Sequence, residues 1–526
     1  MAIFICANAE CVITIKCDGL TSVFRDVRHI PMKSCSCTLP LRALLSGWLT
    51  RLGLVIAVWF TAELQSQAQA PVLTPFVPGA NGIVSGEVSH QIAFTGTATR
   101  FAATGLPPGL TLNTTTGLVT GRPNRAGNYT VVLRAWNGTV QSQPLSVSWT
   151  VEPLPAGTAG TFNAILDRHP WYNGNFGGSL RITVASDGSY SGVITRGIHR
   201  NSITGRLTTQ VGGFTPTGSF QVPRVSPYAP LTVSFSLPLG AGTIIGSLNE
   251  PQGDVIGLAG YRAGFTAAQP ALTYVGRWNS ALELPAELVG NAAYPQGAGW
   301  ASQVISSSGV VTWVSRLADG TGHTFSTDLA AGGQTLVHLM LYQNSGSVQG
   351  VQSFLAASGL TIGSLGWVKT ANPYSRYYPA GIPQHALTLS GSRYIAPAAG
   401  EMLFGITPGT DNARLVFTGG GLAAPHTQLF SLDAKNKATL PVKGAANPYG
   451  ITFTMNLLTG FITGTGTAMD FSDSQPTNAR AGSFSGLIIL GRNQAVGHFL
   501  LPVDRSTKAQ VLSGKWIAEE NPSTTL

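Results

Sequence analysis

Residues 101–132 read FAATGLPPGLTLNTTTGLVTGRPNRAGNYTVV, and the turns in that run decide the fold class. Leu106-Pro107-Pro108-Gly109 fixes two φ angles and then supplies a residue that tolerates positive φ, so the chain must turn between two extended segments. Leu110 and Leu112 alternate with Thr111, Thr116-Gly117 makes a second turn, and Leu118-Val119-Thr120 leads into a third turn at Gly121 and Pro123. Tyr129, Val131 and Leu133 then alternate with Thr130 and Val132. Short half-buried strands with turn signals about every 8–12 residues predict a β-sandwich.

Outward from that stretch the same style persists. The chain of 526 residues is too long for one core and predicts about three or four domains. It has 64 glycines and only 10% charged residues, a composition that suits tight turns between short strands and disfavours long helices. A hydrophobic fraction of 43% with regular alternation excludes a disordered polymer. The expected fold is all-β: an N-terminal Ig-like β-sandwich followed by two or three antiparallel β-barrel or sandwich units.

The run G-L-P-P-G-L-x-L-x-x-x-T-G-x-x-x-G-x-P-x-x-A-G-x-Y-x-V-x-L-x-A, carried by residues 105–135, resembles the Ig-like domain family of bacterial secreted surface proteins, a relative of cadherin-like sandwiches. The resemblance covers about residues 71–153 and implies a spacer or adhesion module. Cadherin relatives hold calcium between clustered carboxylates. Here the acids of the domain are Glu87 and Glu152 alone, so calcium comes only by family analogy, its ligands are not evident, and no cofactor is expected.

All five cysteines, Cys6, Cys11, Cys17, Cys35 and Cys37, precede an export-type signal. That signal is Arg51 followed by the apolar run Leu52 to Ala62 (LGLVIAVWFTA), with small residues at Ser66-Gln67-Ala68 and Ala68-Gln69-Ala70. The pattern is that of a signal peptide over residues 32–70, cleaved after Ala68 or Ala70, with residues 1–31 a mis-called start or unstructured. A cleaved chain would carry no disulfide and no thiolate metal site, and would lie outside the cell or at its surface. A retained signal anchor is the competing reading. The formal net charge of +9 is spread without runs of Lys or Arg, which argues against nucleic acid as a partner.

Val151 to Gly160, rich in Pro and Gly, reads as a linker that sets boundaries at 153 and 161. The three following units are expected at 161–272, 273–370 and 371–526. Asp187-Gly188, Ser308-Gly309 and Asp319-Gly320 sit between alternating runs and predict hairpins; in the second unit, strands joined in sequence order read as an up-and-down meander, whose edges closure into a small barrel would remove, with barrel and sandwich both open for these units. These units resemble uncharacterised β-modules of large exported bacterial proteins, through Leu166-Asp167-Arg168, Arg316-Leu317-Ala318-Asp319-Gly320, Leu365-Gly366-Trp367 and Gly391-Ser392-Arg393-Tyr394 among others. That resemblance implies no activity.

Met455 to Gly464 (MNLLTGFITG) echoes Leu112 to Gly121 (LNTTTGLVTG), which predicts the same hairpin chemistry in two places. H-E-x-x-H, G-x-S-x-G and G-x-x-x-x-G-K-[ST] are absent from the sequence, and the histidines do not fall at metal-ligand spacings. No catalytic and no metal residue is therefore assigned. The acids Asp254, Glu283, Glu287, Asp319, Glu401 and Asp470 cannot be paired from sequence into the two carboxylates that glycoside hydrolysis uses.

Two aromatic loops are the binding candidates. Asp167, His169, Trp171, Tyr172 and Asn173 could face a sugar or peptide, with an aromatic face for stacking and polar groups for orientation; otherwise Trp171 plugs one end of a barrel and Asp167 pairs with Arg168 or caps the turn. Tyr374, Tyr377 and Tyr378 lie in a second loop, which otherwise reads as a linker packed between two units. The expected function is a non-catalytic exported protein for cell-surface adhesion or ligand binding, with extracellular polysaccharide or a surface protein as partner. The alternative is a secreted carbohydrate-active enzyme with an Ig-like accessory domain. A glycan array beside an assay for reducing-end release separates the two.

Overall fold

The computed structural model describes residues 6–7, 10–11, 69–75, 82–250, 253–468, 480–506 and 508–524. The chain divides into Met1–Gln67 and Ala68–Leu526, and the second unit is described here. Residues 32–68 of the expected leader and Asp470 lie outside the described residues. No described helix is long and apolar enough to cross a membrane.

Residues 88–151, around the Pro-Pro-Gly turn, fold as a sandwich. One sheet pairs Val88–Gln91, Leu118–Gly121 and Leu110–Leu112; the other pairs Arg100–Thr104, Gly127–Asn137, Leu145–Val151 and Val140–Gln141. Phe101, Val119, Val131, Leu133 and Trp149 fill the space between them. Gly109 and Gly117 turn at φ +94° and +75°, as the Pro-Pro-Gly and Thr-Gly signals require. Gly105 combines φ +77° with a close approach, since a β-carbon there would meet the Thr130 carbonyl oxygen. Gly105→Ala is expected to cost about 1–3 kcal/mol, read as a lowered denaturation midpoint.

Three eight-stranded antiparallel sheets follow. The first contains β1 (Gly160–Leu166), β2 (Gly178–Val184), β3 (Ser189–Arg196), β4 (His199–Arg206), β5 (Thr217–Val222), β6 (Leu231–Ser236), β7 (Thr243–Asn249) and β8 (Val255–Arg262). The second contains β9 (Gly276–Glu283), β10 (Gly299–Ile305), β11 (Val310–Arg316), β12 (Gly322–Asp328), β13 (Gln334–Leu341), β14 (Gly346–Leu355), β15 (Leu360–Lys369) and β16 (Ile382–Tyr394). The third contains β17 (Gly409–Gly419), β18 (His426–Leu432), β19 (Ala438–Thr439), β20 (Thr452–Asn456), β21 (Phe461–Ala468), β22 (Arg480–Ile489), β23 (Gln494–Pro502) and β24 (Val511–Glu520).

Each sheet is a meander whose last strand pairs with its first: β8 with β1, β16 with β9, β24 with β17. Each lacks a full ladder at one seam, between β4 and β5, β12 and β13, or β19 and β20. These are nearly closed barrels, and alternation fills them. β5 (TGSFQV) sends Gly218, Phe220 and Val222 inward, and each barrel has its own apolar core. The second barrel runs past the boundary expected at 370, because β16 pairs with both β9 and β15. The Pro- and Tyr-rich stretch that reads as a linker is the loop between β15 and β16.

Side chains from one barrel satisfy backbone groups of the next. At the Ig-like domain, Arg122 donates to the Leu207 carbonyl (3.0 Å) and Thr208 Oγ1 (3.1 Å), while Thr209 donates to the Val84 carbonyl (2.6 Å). Between the first two barrels, Arg168 donates to Ser347 Oγ (2.7 Å) and the Gly366 carbonyl (2.8 Å). Its burial pulls the guanidinium pKa down to about 10. Between the second and third, Asn279 donates to the Thr459 and Ile488 carbonyls, Trp300 donates to Ser485 Oγ, and Glu283 receives both Arg492 and Lys515.

A candidate ligand cleft at the mouth of the first barrel

In an up-and-down barrel alternate connections emerge at the same end, so the loops after β1, β3, β5 and β7 gather around one mouth. They line a cleft of about 1040 Å³, to which Asn344 of the second barrel also contributes. Barrel mouths are a common location for ligand sites.

The loop after β1 is rigid for local reasons. Pro170 opens a short helical turn over Pro170–Asn173. Asn173, buried, accepts from the His169 (2.8 Å) and Gly177 (3.1 Å) amides and donates to the Asp167 carbonyl (2.8 Å). Tyr172 is buried, donates to the Asp254 carbonyl (2.8 Å) and stacks on His169, whose Nε2 lies 3.1 Å from the Asp254 carboxylate. Asp167 accepts from the Gly257 amide. With its neighbours fixed, Trp171 is 81% exposed on the rim.

Trp171 therefore does not plug the barrel. Its position on the helical turn points it to solvent while Tyr172 fills the inner place. Asp167 does not pair with Arg168 either, because that guanidinium is drawn into the junction with the second barrel. Of the five candidates, Trp171, Tyr172 and Asn173 line the cleft, while Asp167 and His169 brace the loop behind it.

The opposite walls carry residues that sequence reading passed over. Arg196, 4% exposed, donates to the Tyr172 carbonyl (3.3 Å), and its Nε has no hydrogen-bond partner among the described residues. Burial, then the neighbouring Arg224, depresses its pKa. Arg224 Nη2 sits 2.8 Å from a Glu250 carboxylate oxygen, its Nε donates to the Ala229 carbonyl (2.6 Å), and its guanidinium lies over the Tyr228 ring. Tyr228 and Val225 are exposed beside it. Only the closeness of Arg224 and Tyr228 in VPRVSPYAP could have singled this wall out.

The second aromatic loop goes elsewhere. Tyr374 is exposed to solvent, and Tyr378 is buried, its hydroxyl accepting from the Ser513 amide of β24. Tyr377 bridges to Val511, and Arg376 donates to the Ala509 carbonyl, so the loop docks on the third barrel. Tyr378 also lines a cleft of about 770 Å³ there, with Tyr294, Glu283 and Lys515. Burial alone would raise the Glu283 carboxyl, but hydrogen bonds from Arg492 and Lys515 outweigh it and hold the pKa down.

The other acids are engaged locally: Asp319 receives Tyr342 and the Thr321 amide, and Glu401 receives the Ala398 amide. Among the described residues neither large cleft is lined by more than one carboxylate, and no group of three His, Cys, Asp or Glu could hold a metal.

This is a modular β protein with an Ig-like domain ahead of its barrels. Residues 67–152 match the family described as "Putative Ig domain". Two solved structures are similar over larger spans. A protein of unknown function from the DUF3598 family of Nostoc punctiforme has 10% identity over 45% of this chain and 96% of its own, with a TM-score of 0.15. The WD40 domain of SCAP from fission yeast has 9% identity over 74% and 81%, with a TM-score of 0.13. Scores that low carry no argument about function. No curated protein matches the chain.

Proposed function

We propose that this chain is an exported binding protein that takes a polysaccharide at the mouth of its first barrel, at the cell surface or in the surrounding medium. The remaining barrels and the Ig-like domain act as spacer and scaffold. The observation that carries this reading is Trp171, 81% exposed on a loop held by its own hydrogen bonds, at the rim of a cleft. Leaving an indole in water forgoes roughly 2–3 kcal/mol of burial, and an exposed ring with fixed neighbours suits stacking on a sugar face. Export rests on the leader at Arg51 to Ala70.

A glycan array with the full chain tests the reading. Trp171→Ala is expected to lower affinity for the bound polysaccharide by about tenfold or more while leaving the melting temperature unchanged. Tyr374→Ala, on the distant loop, is expected to change neither. Unaltered binding by Trp171→Ala would overturn the proposed site, and release of reducing ends would overturn the non-catalytic role.

A further inference from the structure

We infer that the cleft at the mouth of the first barrel selects an acidic polysaccharide, with Arg196 and Arg224 receiving the carboxylates of uronate rings; this rests on the polysaccharide reading above. Three guanidinium groups line the cleft, Arg196, Arg200 and Arg224, against the single carboxylate of Glu250. The next acid, Asp254, stands behind the Tyr172 loop and faces His169.

A buried cation without a full set of acceptors is costly, because burial removes water and leaves its donors idle. Arg196 is in that position: it is almost wholly buried, its Nε has no hydrogen-bond partner among the described residues, and a second guanidinium lies close enough to depress its pKa. Glu250 pairs with Arg224, and among the described residues Arg196 faces only the Tyr172 carbonyl, so folding alone does not balance the second cation. A ligand anion that adds a second negative charge does, since a planar guanidinium and a carboxylate match in geometry.

The apolar groups around the two arginines identify the rest of the ligand. Trp171 and Tyr228 are exposed on separate walls of the same cleft and offer ring faces beside the cations. A uronate ring has a C–H face for stacking and a carboxylate at its edge. Single-stranded nucleic acid also combines rings with charge, but it would call for a track of cations following its phosphates, and the basic residues of this chain are scattered.

The test is calorimetric titration of the full chain with polygalacturonate, with the same polymer after carboxyl reduction, and with single-stranded DNA. Polygalacturonate is expected to bind at least about tenfold more tightly than the reduced polymer, and added salt should narrow that gap. Arg224→Gln should remove about tenfold to a hundredfold of the affinity for polygalacturonate, a clearly larger loss than it causes for the reduced polymer. Arg224→Lys should restore part of it. Arg200→Gln, on the exposed rim, supplies a variant with little risk to folding and should lose affinity for the acidic polymer alone.

Equal binding of both polymers, or retention of the uronate preference in Arg224→Gln and Arg200→Gln, would overturn acidic selection and leave the polysaccharide reading standing. Binding of neither polymer would overturn both. Tighter binding of DNA than of polygalacturonate would replace the polysaccharide with a nucleic acid.

Discussion

Trp278→Ala is expected to destabilise the second barrel by about 3–5 kcal/mol, the range for emptying a large aromatic site in a core that cannot collapse. Trp278 is 0% exposed and lies on β9, the strand that pairs with β10 on one side and β16 on the other, so the barrel closes around it. Its Nε1 donates to the Tyr274 carbonyl (2.9 Å), its ring meets Phe354 edge-on, and the Arg393 guanidinium sits over it. Truncation removes the apolar contacts and the donor together. Trp278→Phe keeps a ring and loses the hydrogen bond, for an expected cost nearer 1–2 kcal/mol. Urea denaturation of the full chain checks both. A midpoint shift for Trp278→Ala no larger than that of the exposed Trp171→Ala would show that β9 does not carry the barrel core.

Turn chemistry was the most legible part of the fold, because a left-handed glycine and a short polar side chain constrain only their neighbours. The pair LNTTTG and MNLLTG makes the point. Asn113 accepts from the Thr115 and Thr116 amides ahead of Gly117 at φ +75°, and Asn456 accepts from the Leu458 and Thr459 amides ahead of Gly460 at φ +73°. The same hairpin cap thus serves a sandwich in one case and a barrel in the other, and its recurrence follows from local hydrogen bonding.

Closure was harder to read, since pairing β9 with β16 joins segments about a hundred residues apart and no local rule selects that partner. For the same reason the loop at 370–381, with its prolines and exposed Tyr374, looked like the end of a unit. The cleft was half legible. Trp171, Tyr172 and Asn173 are crowded enough to attract attention, whereas Arg196 and Arg224 stand alone in sequence and meet the aromatic loop only because alternate connections share one end of a barrel. Buried histidines at the junctions gave no sequence signal, because their burial depends on how successive barrels pack.

Those histidines make the chain acid-sensitive. Burial pushes the His338 pKa down to about 4, with Arg168 adding to the effect and the Phe176 backbone opposing it. Burial likewise pushes His498 down to about 4, with Arg316 adding to it, although its Nδ1 is bonded to the Ala298 carbonyl. Both imidazoles are neutral when folded, while the unfolded chain begins to take up their protons near pH 6.5. Stability is therefore full above that pH and falls as pH drops toward 4, by roughly 3 kcal/mol for each histidine. The lowered Glu283 carboxyl begins to add its loss only as the pH falls through the ordinary carboxylate value, so the window above it belongs mainly to the histidines. His323, His385 and His426, also depressed by burial, add in the same direction. Denaturation midpoints of the full chain measured from pH 7 to 4 should fall, and His338→Asn with His498→Asn should flatten the slope. A midpoint that stays level in the parent, or a slope kept by the double variant, would refute the assignment. Because His338 borders Arg168 at the first barrel junction and His498 reaches Ala298 of the second barrel from the third, the strain of protonation falls where barrels meet. Mild acid should therefore expose the connecting segments at 263–275 and 395–408 to proteolysis before the barrel interiors open.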